Sequence, residues 1–221
     1  MTDAPAPAVE LDDDPSLRRG LVAATDSAPG PRLDAHLDAL RDRLADSATS
    51  AGTVDVFWRT VPSPVGDLLL CATDVGLVRV AFDVEDHDAV LDRVAAQVGS
   101  RVLRSPRRLD GVVVELDQYF AGRRRDFDLV LDRRLSRGFQ RTVLEHLPEI
   151  PYGETASYAR VAAASGSPRA VRAVGTACAT NPLPVVVPCH RVVRSDGTPG
   201  RYRGGEAAKA VLIGLESGAR S

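Results

Sequence analysis

The stretch Pro184-Val-Val-Val-Pro-Cys-His-Arg-Val-Val193 places a cysteine–histidine pair directly after an apolar run, and the rest of the chain is best understood from it. A cysteine is nucleophilic only as its thiolate, so a base or a cation must act on its proton. His190 is a candidate base for Cys189, and Glu216 is a candidate carboxylate to orient the histidine. The structural alternative is a buried cysteine beside a satisfied histidine, which is the commoner role of an isolated pair.

Two short helices are predicted before this stretch, at residues 157–164 and 169–179. A Gly-containing turn separates them, with Ser167 as the expected N-cap and Pro168 at the first helical position. This pattern predicts a helix-turn-helix, whose sequence requirements are loose. Asn181-Pro182 ends the second helix, and residues 183–187 are expected to be buried.

The segment upstream has the pattern of a small antiparallel sheet with helices. Short β-favouring segments separated by turns predict strands at residues 54–61, 67–73 and 76–82, and a further strand at 127–131. Helices are predicted at residues 86–98, 109–120 and 138–147. The fold class expected is therefore α+β.

Residues 1–53 differ from the rest of the chain. Residues 1–30 are poor in aromatics and rich in Asp, Ala and Pro, which is typical of a disordered tail. Leu33, Leu37, Leu40 and Leu44 recur at helical spacing and predict an amphipathic helix over residues 31–46. Residues 47–52 have the composition of a linker.

Charge is distributed unevenly along a chain whose net charge is -2. Residues 1–50 carry 10 Asp/Glu against 5 Lys/Arg, whereas residues 156–221 carry 9 Lys/Arg against 3 Asp/Glu. A basic C-terminal third suits contact with a polyanion such as nucleic acid. An ordinary solvated Arg-rich face is the alternative that charge alone favours.

The cysteine count and the hydropathy pattern indicate a soluble protein in a reducing compartment, and a cytoplasmic location is expected. The three cysteines, Cys71, Cys178 and Cys189, lack the spacing of a disulfide framework. The first 14 residues do not have the pattern of a signal peptide, and no apolar run approaches the roughly 20 residues of a membrane span. No membrane partner is expected.

The run from Pro151 to Glu216 resembles the catalytic domain of the O6-alkylguanine-DNA alkyltransferases, or methylated-DNA–protein-cysteine S-methyltransferases. The matching pieces are Pro151-Tyr-Gly-Glu-Thr-Ala-Ser-Tyr158, Ala170-Val-Arg-Ala-Val-Gly175, Asn181-Pro182, Val187-Pro-Cys-His-Arg-Val-Val193, Gly200-Arg-Tyr-Arg-Gly-Gly205, Lys209 and Glu216. Further anchors in the earlier part of the chain are Leu116-Asp-Gln-Tyr-Phe-Ala-Gly122 and Phe139-Gln140. The resemblance implies a ribonuclease-H-like domain at residues 54–135 and a helical, winged-helix-like catalytic domain at residues 136–221.

The same resemblance implies direct-reversal DNA repair, in which Cys189 takes the alkyl group from O6 of guanine once and irreversibly. His190 is expected to accept the thiol proton through a bridging water, with Glu216 orienting it. Tyr158 is expected to protonate the leaving guanine near N3. Asn181 is expected to fix the turn before the active-site loop.

The guanine pocket and the DNA contacts are also implied by the family pattern. The backbones of Val192 and Arg203 are expected to bind the guanine edge, with Tyr202 and Gly200 lining the pocket. Arg172 is expected to replace the extruded nucleotide as the second helix enters the minor groove of double-stranded DNA. The remaining residues implied in DNA contact are Ala170, Ala173, Gly175, Ala177, Thr155 and Ser157.

Several features depart from the family pattern or stay open. Leu144 stands where many members have Trp, and Ser136-Arg137-Gly138 replaces a common Gly-Thr-Pro. Arg203 stands where some members have a small residue, so it narrows or charges the pocket mouth, and the accepted alkyl size and O4-alkylthymine activity stay open. The zinc-binding Cys/His pairs of some relatives are missing, so neither a metal nor another cofactor is expected, and the protein is expected to be a monomer.

Two other classes of function compete with alkyl transfer. A lesion-binding sensor without transfer activity is disfavoured because Cys189, His190 and Glu216 are all retained. A Cys-His hydrolase unrelated to DNA is disfavoured by the small residues around Arg172 and by the lack of an oxyanion motif.

Overall fold

The computed structural model describes residues 31–218, and the predicted tail at residues 1–30 lies outside them. Of the described residues, 31–40 belong to one compact unit and 41–218 belong to another. A first helix, α1 (Pro31–Ser50), runs four residues beyond its predicted end. Leu37, Leu40 and Leu44 on this helix are exposed.

The second unit opens with a four-stranded sheet. Strands β1 (Val56–Val61), β2 (Leu68–Ala72) and β3 (Leu77–Phe82) form the predicted antiparallel meander. A short strand, β4 (Val102–Arg104), pairs in parallel with β1, so the order is β3-β2-β1-β4. This fourth strand was not predicted, because three residues are too few to show a strand periodicity.

Both faces of the sheet are covered, which explains why every residue of β2 and β3 is buried. Leu68 and Leu70 point to one hydrophobic cluster, and Leu69 and Cys71 point to another, as the period of two requires. Helix α2 (His87–Gln97) contributes to the second cluster, and helix α3 (Asp110–Phe120) contributes to the first. The first cluster continues into the C-terminal part of the chain and joins the two halves.

The prediction of a strand at residues 127–131 is wrong. Phe127, Leu129 and Leu131 do pack against the core, as their alternation suggests. However, only Leu131 forms a β-bridge, to Leu77, so no ladder is built. The alternation correctly indicated which side chains face the core, but the backbone pairs with β3 only around Leu77, where Val130 O accepts from Leu77 N at 2.9 Å.

The C-terminal part is helical and contains a two-residue parallel strand pair. Its elements are α4 (Gly138–His146), β5 (Ala156–Ser157), α5 (Tyr158–Ala164), α6 (Val171–Ala179), β6 (Val192–Val193) and α7 (Gly205–Gly218). The predicted α+β class with a sheet domain followed by a helical domain is confirmed. Within residues 31–218, no helix combines the length and the apolar character that crossing a membrane requires.

Helices α5 and α6 form the predicted helix-turn-helix, but the start of α6 differs from the prediction. Ser157 caps α5 by accepting a hydrogen bond from Arg160 N at 3.2 Å. Ser167 is not the N-cap of α6, because its carbonyl accepts from Ala170 N at 2.8 Å and closes a separate turn. Ala170 is the N-cap, and Pro168 lies in that turn before the helix.

Asp132 ties the sheet to the segment that connects the two parts of the unit, and its removal should destabilise the fold. Its buried carboxylate accepts from Thr73 Oγ1 at 2.6 Å and from Arg134 N at 3.1 Å. Asp132→Ala leaves both donors unsatisfied and should lower the free energy of unfolding by about 1–3 kcal/mol in urea titrations. Asp128→Ala, which removes an exposed carboxylate four residues earlier, is the control; equal effects of the two would contradict this role.

Candidate active site

The nucleophile predicted from sequence lies at the start of a 3₁₀ turn, Cys189–Arg191, that follows the buried run 183–187. Cys189 is 2% exposed. The Asn181 side-chain amide donates to Val187 O at 2.9 Å and to Cys189 Sγ at 3.1 Å. Asn181 Oδ1 accepts from Leu183 N at 3.0 Å, so one side chain closes the loop and contacts the thiol.

The thiol of Cys189 is protonated at neutral pH. Burial raises its pKa to about 11, although the hydrogen bond from Asn181 acts in the opposite direction. A protonated thiol is a poor nucleophile, so attack requires a base that removes the proton.

His190 and Glu216, the residues predicted as base and orienting carboxylate, lie in direct contact. His190 Nε2 lies 2.9 Å from Glu216 Oε1, and both side chains are buried. Burial alone would raise the pKa of Glu216, but hydrogen bonds from His190 and Arg191 hold it at about 2. Burial, together with the nearby Arg191 and Lys209 cations, lowers the pKa of His190 in spite of Glu216, so the imidazole is neutral at pH 7.

The ionised carboxylate decides which imidazole nitrogen is basic. Glu216 can only accept, so His190 Nε2 carries the proton and Nδ1 has the free lone pair. Nδ1 is buried and makes no hydrogen bond to any residue from 31 to 218. Within those residues the hydrogen bond to Cys189 Sγ comes from Asn181 and not from the imidazole.

Two further side chains hold Glu216, and neither was assigned a role from the sequence. Arg191 donates from Nε to Oε2 at 2.9 Å and from Nη2 to Oε1 at 3.0 Å. Tyr119, on α3, donates from its hydroxyl to Oε1 at 2.7 Å and lies 3.4 Å from His190 Nε2. Arg191 directly follows the Cys-His pair, and Tyr119 lies within the anchor Leu116–Gly122, so both could have been singled out. No sequence pattern links Tyr119 to Glu216, 97 residues away.

The residues predicted to line the pocket lie around this network. An added Cβ on Gly200 would fall 2.1 Å from the Tyr158 hydroxyl, so only glycine allows their close approach. Tyr202 makes edge-to-face contacts with Phe82 and with His190, at centroid distances of 5.5 and 6.4 Å. The carbonyl of Val192 accepts from Lys209 Nζ at 2.6 Å.

Arg203 does not leave a free charge at the pocket mouth. Its Nε lies 2.6 Å from Glu85 Oε2, so the cation is paired with a carboxylate of the sheet domain. Its Nη1 also donates to Asn181 O at 3.5 Å.

The residues predicted to contact DNA lie on or beside the helix-turn-helix. Arg172 and Ala173 are exposed on α6, Gly175 is half-buried, and Thr155 is exposed before β5. Ala177 does not belong to this surface, because the helical turn directs it into the core, where it is 2% exposed. Ala170, at the N-cap, and Ser157, which caps α5, are half-buried.

The two other cysteines are buried and free, which agrees with the structural role expected for them. Burial raises the pKa of Cys71 to about 12 and raises that of Cys178 as well. In the part of the chain from residue 31 to residue 218, no three His, Cys, Asp or Glu side chains cluster as metal ligands would.

Comparison with known proteins shows the family of this chain. Residues 138–218 match the family described as 6-O-methylguanine DNA methyltransferase, DNA binding domain, and residues 56–133 match its ribonuclease-like domain. The chain belongs to the O6-methylguanine DNA methyltransferase family. The predicted family, including the ribonuclease-like first domain, is thereby confirmed.

Individual members of the methyltransferase family align over most of their length. The methylated-DNA–protein-cysteine methyltransferase of Mycolicibacterium paratuberculosis is 41% identical over 159 residues, covering 72% of this chain and 91% of that protein. The crystal structure of the Mycobacterium tuberculosis O6-methylguanine methyltransferase has 36% identity and a TM-score of 0.65, covering 74% and 94% of the two chains. A structure of the M. tuberculosis protein in complex with DNA has 36% identity and a TM-score of 0.63, with the same coverage of both chains.

Because His190 is neutral and Glu216 is ionised, the reactivity of Cys189 should depend on pH in a defined way. Because the pKa of His190 is lowered, the base stays neutral below pH 6.5, and Cys189 reactivity should fall only as pH drops through that lowered pKa. Glu216→Gln removes the charge that favours imidazolium, which weakens the base and should slow reaction with a free-base O6-alkylguanine by about tenfold or more.

The check is the rate of that reaction against pH in wild type and Glu216→Gln, with unfolding curves to confirm that the variant is folded. Glu206→Gln, an exposed carboxylate on the same helix, serves as the control. A folded Glu216→Gln variant with the wild-type rate and profile would remove Glu216 from the relay.

Proposed function

We propose that this chain repairs O6-alkylguanine in double-stranded DNA by transferring the alkyl group to Cys189, once per molecule. The observation that carries the proposal is the buried thiol of Cys189, held by Asn181 beside a neutral His190 that an ionised Glu216 orients. Membership of a family whose relatives are methylated-DNA–protein-cysteine methyltransferases supports the same reaction.

The transfer is a single displacement at the alkyl carbon. A carbon–sulfur bond forms to Cys189 as the bond from that carbon to guanine O6 breaks. The thiol proton passes through a bridging water to His190 Nδ1, the nitrogen that Glu216 leaves free. Because the protein cannot cleave the resulting thioether, the thiol is not regenerated and each molecule acts once.

The departing guanine would be an anion without a proton donor, and Tyr158 is proposed to supply that proton near N3. Burial raises the pKa of Tyr158, so its hydroxyl is protonated at neutral pH and takes back from solvent the proton that it gives to guanine. The backbones of Val192 and Arg203 are proposed to bind the guanine edge, with Tyr202 and Gly200 as pocket walls. The Lys209 contact to Val192 O supports this role by fixing that strand.

The depth of Cys189 requires the target base to leave the duplex. A thiol that is 2% exposed cannot reach O6 inside stacked DNA, so the nucleotide has to rotate into the pocket. Helix α6 is proposed to enter the minor groove, with Arg172 filling the vacated space and Ala173 and Gly175 allowing close approach. Thr155, Ser157 and Ala170 are proposed to contact the backbone nearby.

Charge on the second domain supports binding of DNA. Exposed arginines on or near the helix-turn-helix and the active-site loop are Arg160, Arg169, Arg172, Arg194 and Arg201. Such cations release counterions from phosphates on binding, which makes affinity fall steeply with salt. We further propose that the protein acts as a monomer in the cytoplasm, with a boundary between its two domains at residues 135 and 136.

A lesion sensor without transfer activity is the second candidate. Such a protein needs a base pocket and a DNA-binding helix, but it has no use for a base that can deprotonate Cys189. The hydrogen-bonded pairs Asn181–Cys189 and His190–Glu216, which meet at two consecutive residues of the chain, favour transfer.

Cys189→Ser separates the two candidates. The hydroxyl is far less acidic and less nucleophilic than the thiol, so transfer from a duplex containing one O6-methylguanine should be lost while binding in a gel-shift assay is kept. Cys71→Ala removes a buried cysteine of the sheet domain and should keep transfer. Methyl transfer by Cys189→Ser would show that the nucleophile lies elsewhere.

Arg172→Ala tests base extrusion. Without the side chain that fills the gap, repair of duplex DNA should slow by about tenfold or more, because extrusion of a base needs a few kcal/mol. Reaction with a free O6-alkylguanine base, which needs no extrusion, should be unchanged. Arg123→Ala removes an exposed arginine of the first domain as the control, and equal losses on duplex and free base would contradict the role of Arg172.

A further inference from the structure

A chain of three charged side chains joins the sheet domain to the active-site loop. Arg79, on β3, forms an ion pair with Glu85, and both side chains are buried. Arg203, from the loop before α7, places its Nε 2.6 Å from the same carboxylate oxygen. Glu85 Oε1 also accepts from Phe82 N at 3.0 Å, which fixes the carboxylate against the end of β3.

Arg79, Arg203 and the backbone of β3 all donate hydrogen bonds to carbonyls of the Asn181-Pro182 segment. Pro182 O accepts from Arg79 Nη1 at 3.1 Å and from Val80 N at 2.9 Å. Asn181 O accepts from Arg203 Nη1 at 3.5 Å. The carbonyls of two consecutive residues, Asn181 and Pro182, therefore accept from two guanidinium groups that Glu85 links.

The anchored peptide includes Asn181, whose side chain contacts the Cys189 thiol. The side chain of Asn181 donates to Cys189 Sγ at 3.1 Å and to Val187 O at 2.9 Å. A shift of the Asn181 backbone would lengthen or misalign both hydrogen bonds, because a short amide side chain cannot compensate. The geometry of the sheet domain is thus connected to the thiol through a single side chain.

Glu85 links the two arginines of this connection. It is a single carboxylate that balances two guanidinium groups, one of them buried. Removing one partner of a buried ion pair leaves an uncompensated charge and is strongly destabilising locally. The Arg203 cation also acts to lower the pKa of Cys189, although burial dominates.

We propose that Glu85 and Arg203 are positioning residues for alkyl transfer, holding the Asn181-Pro182 peptide so that Asn181 keeps its hydrogen bond to Cys189 Sγ. The inference rests on the proposed function. It assigns the sheet domain a role in that function: the domain supplies no reacting atom but sets the reactivity of the Cys189 thiol. The side chain of Arg203 therefore positions the Asn181-Pro182 peptide and does not itself contact the substrate.

The experiment measures thiol chemistry without DNA. Wild type, Glu85→Gln, Arg203→Met and the double variant are treated with iodoacetamide over a range of pH, and modification of Cys189 is followed by peptide mass spectrometry. Asp55→Asn, which breaks the Arg101–Asp55 ion pair elsewhere on the first domain, is the control. Transfer from an O6-methylguanine duplex and affinity for that duplex are measured alongside.

Each single variant should slow modification of Cys189 by about tenfold and move its pH profile to higher pH, with no further loss in the double variant because the residues act as one unit. Asp55→Asn should behave as wild type. Arg203→Lys, which keeps the charge but not the planar fork, should recover part of the rate.

Folded variants with the wild-type rate and pH profile would overturn the proposal. So would losses that add in the double variant, or a loss confined to DNA affinity, which would make Arg203 a phosphate contact. If Glu85→Gln does not fold, Arg203→Met decides, because it leaves the Arg79–Glu85 pair intact. If wild type takes no alkyl group from the duplex while the variants still alter thiol reactivity, the proposed function fails and the positioning role stands.

Discussion

The arrangement depends on one buried carboxylate, that of Glu216. It accepts from Tyr119 on α3, from the backbone of Gly153, and from His190 and Arg191 in the active-site loop. Three separate segments are thereby fixed to α7 around a single charge. A buried carboxylate is tolerated only when its oxygens are satisfied by donors, so the position of each segment constrains the others.

This constraint distributes the protons of the site. The donors keep Glu216 ionised, burial keeps His190 neutral, and burial keeps the thiol of Cys189 protonated. The resting protein therefore holds an unreactive thiol next to an available base. A nucleophile that can be used only once benefits from this arrangement, because a standing thiolate would be exposed to oxidation and to unrelated electrophiles.

The sequence predicted the parts of the structure that rest on local patterns. Strands β1 to β3 follow from runs bounded by turns, and the segment 183–193 shows its cysteine, its base and its apolar approach in one place. Patterns failed where pairing decides: β4 is too short to be recognised, and residues 127–131 alternate like a strand but lack a ladder. Sequence patterns also could not predict contacts between residues that are far apart in the chain. Tyr119 with Glu216, and Glu85 with Arg203, join residues about a hundred positions apart, and only the folded chain brings them together.

Intact-protein mass spectrometry can show whether Cys189 is the acceptor of the alkyl group. The wild-type protein is incubated with excess duplex containing one O6-methylguanine, and its mass and peptide map are recorded. We expect one added methyl group per molecule, located on Cys189, with no further uptake when more substrate is supplied. An unmodified protein that still binds the lesion, or a methyl group on another residue, would contradict it.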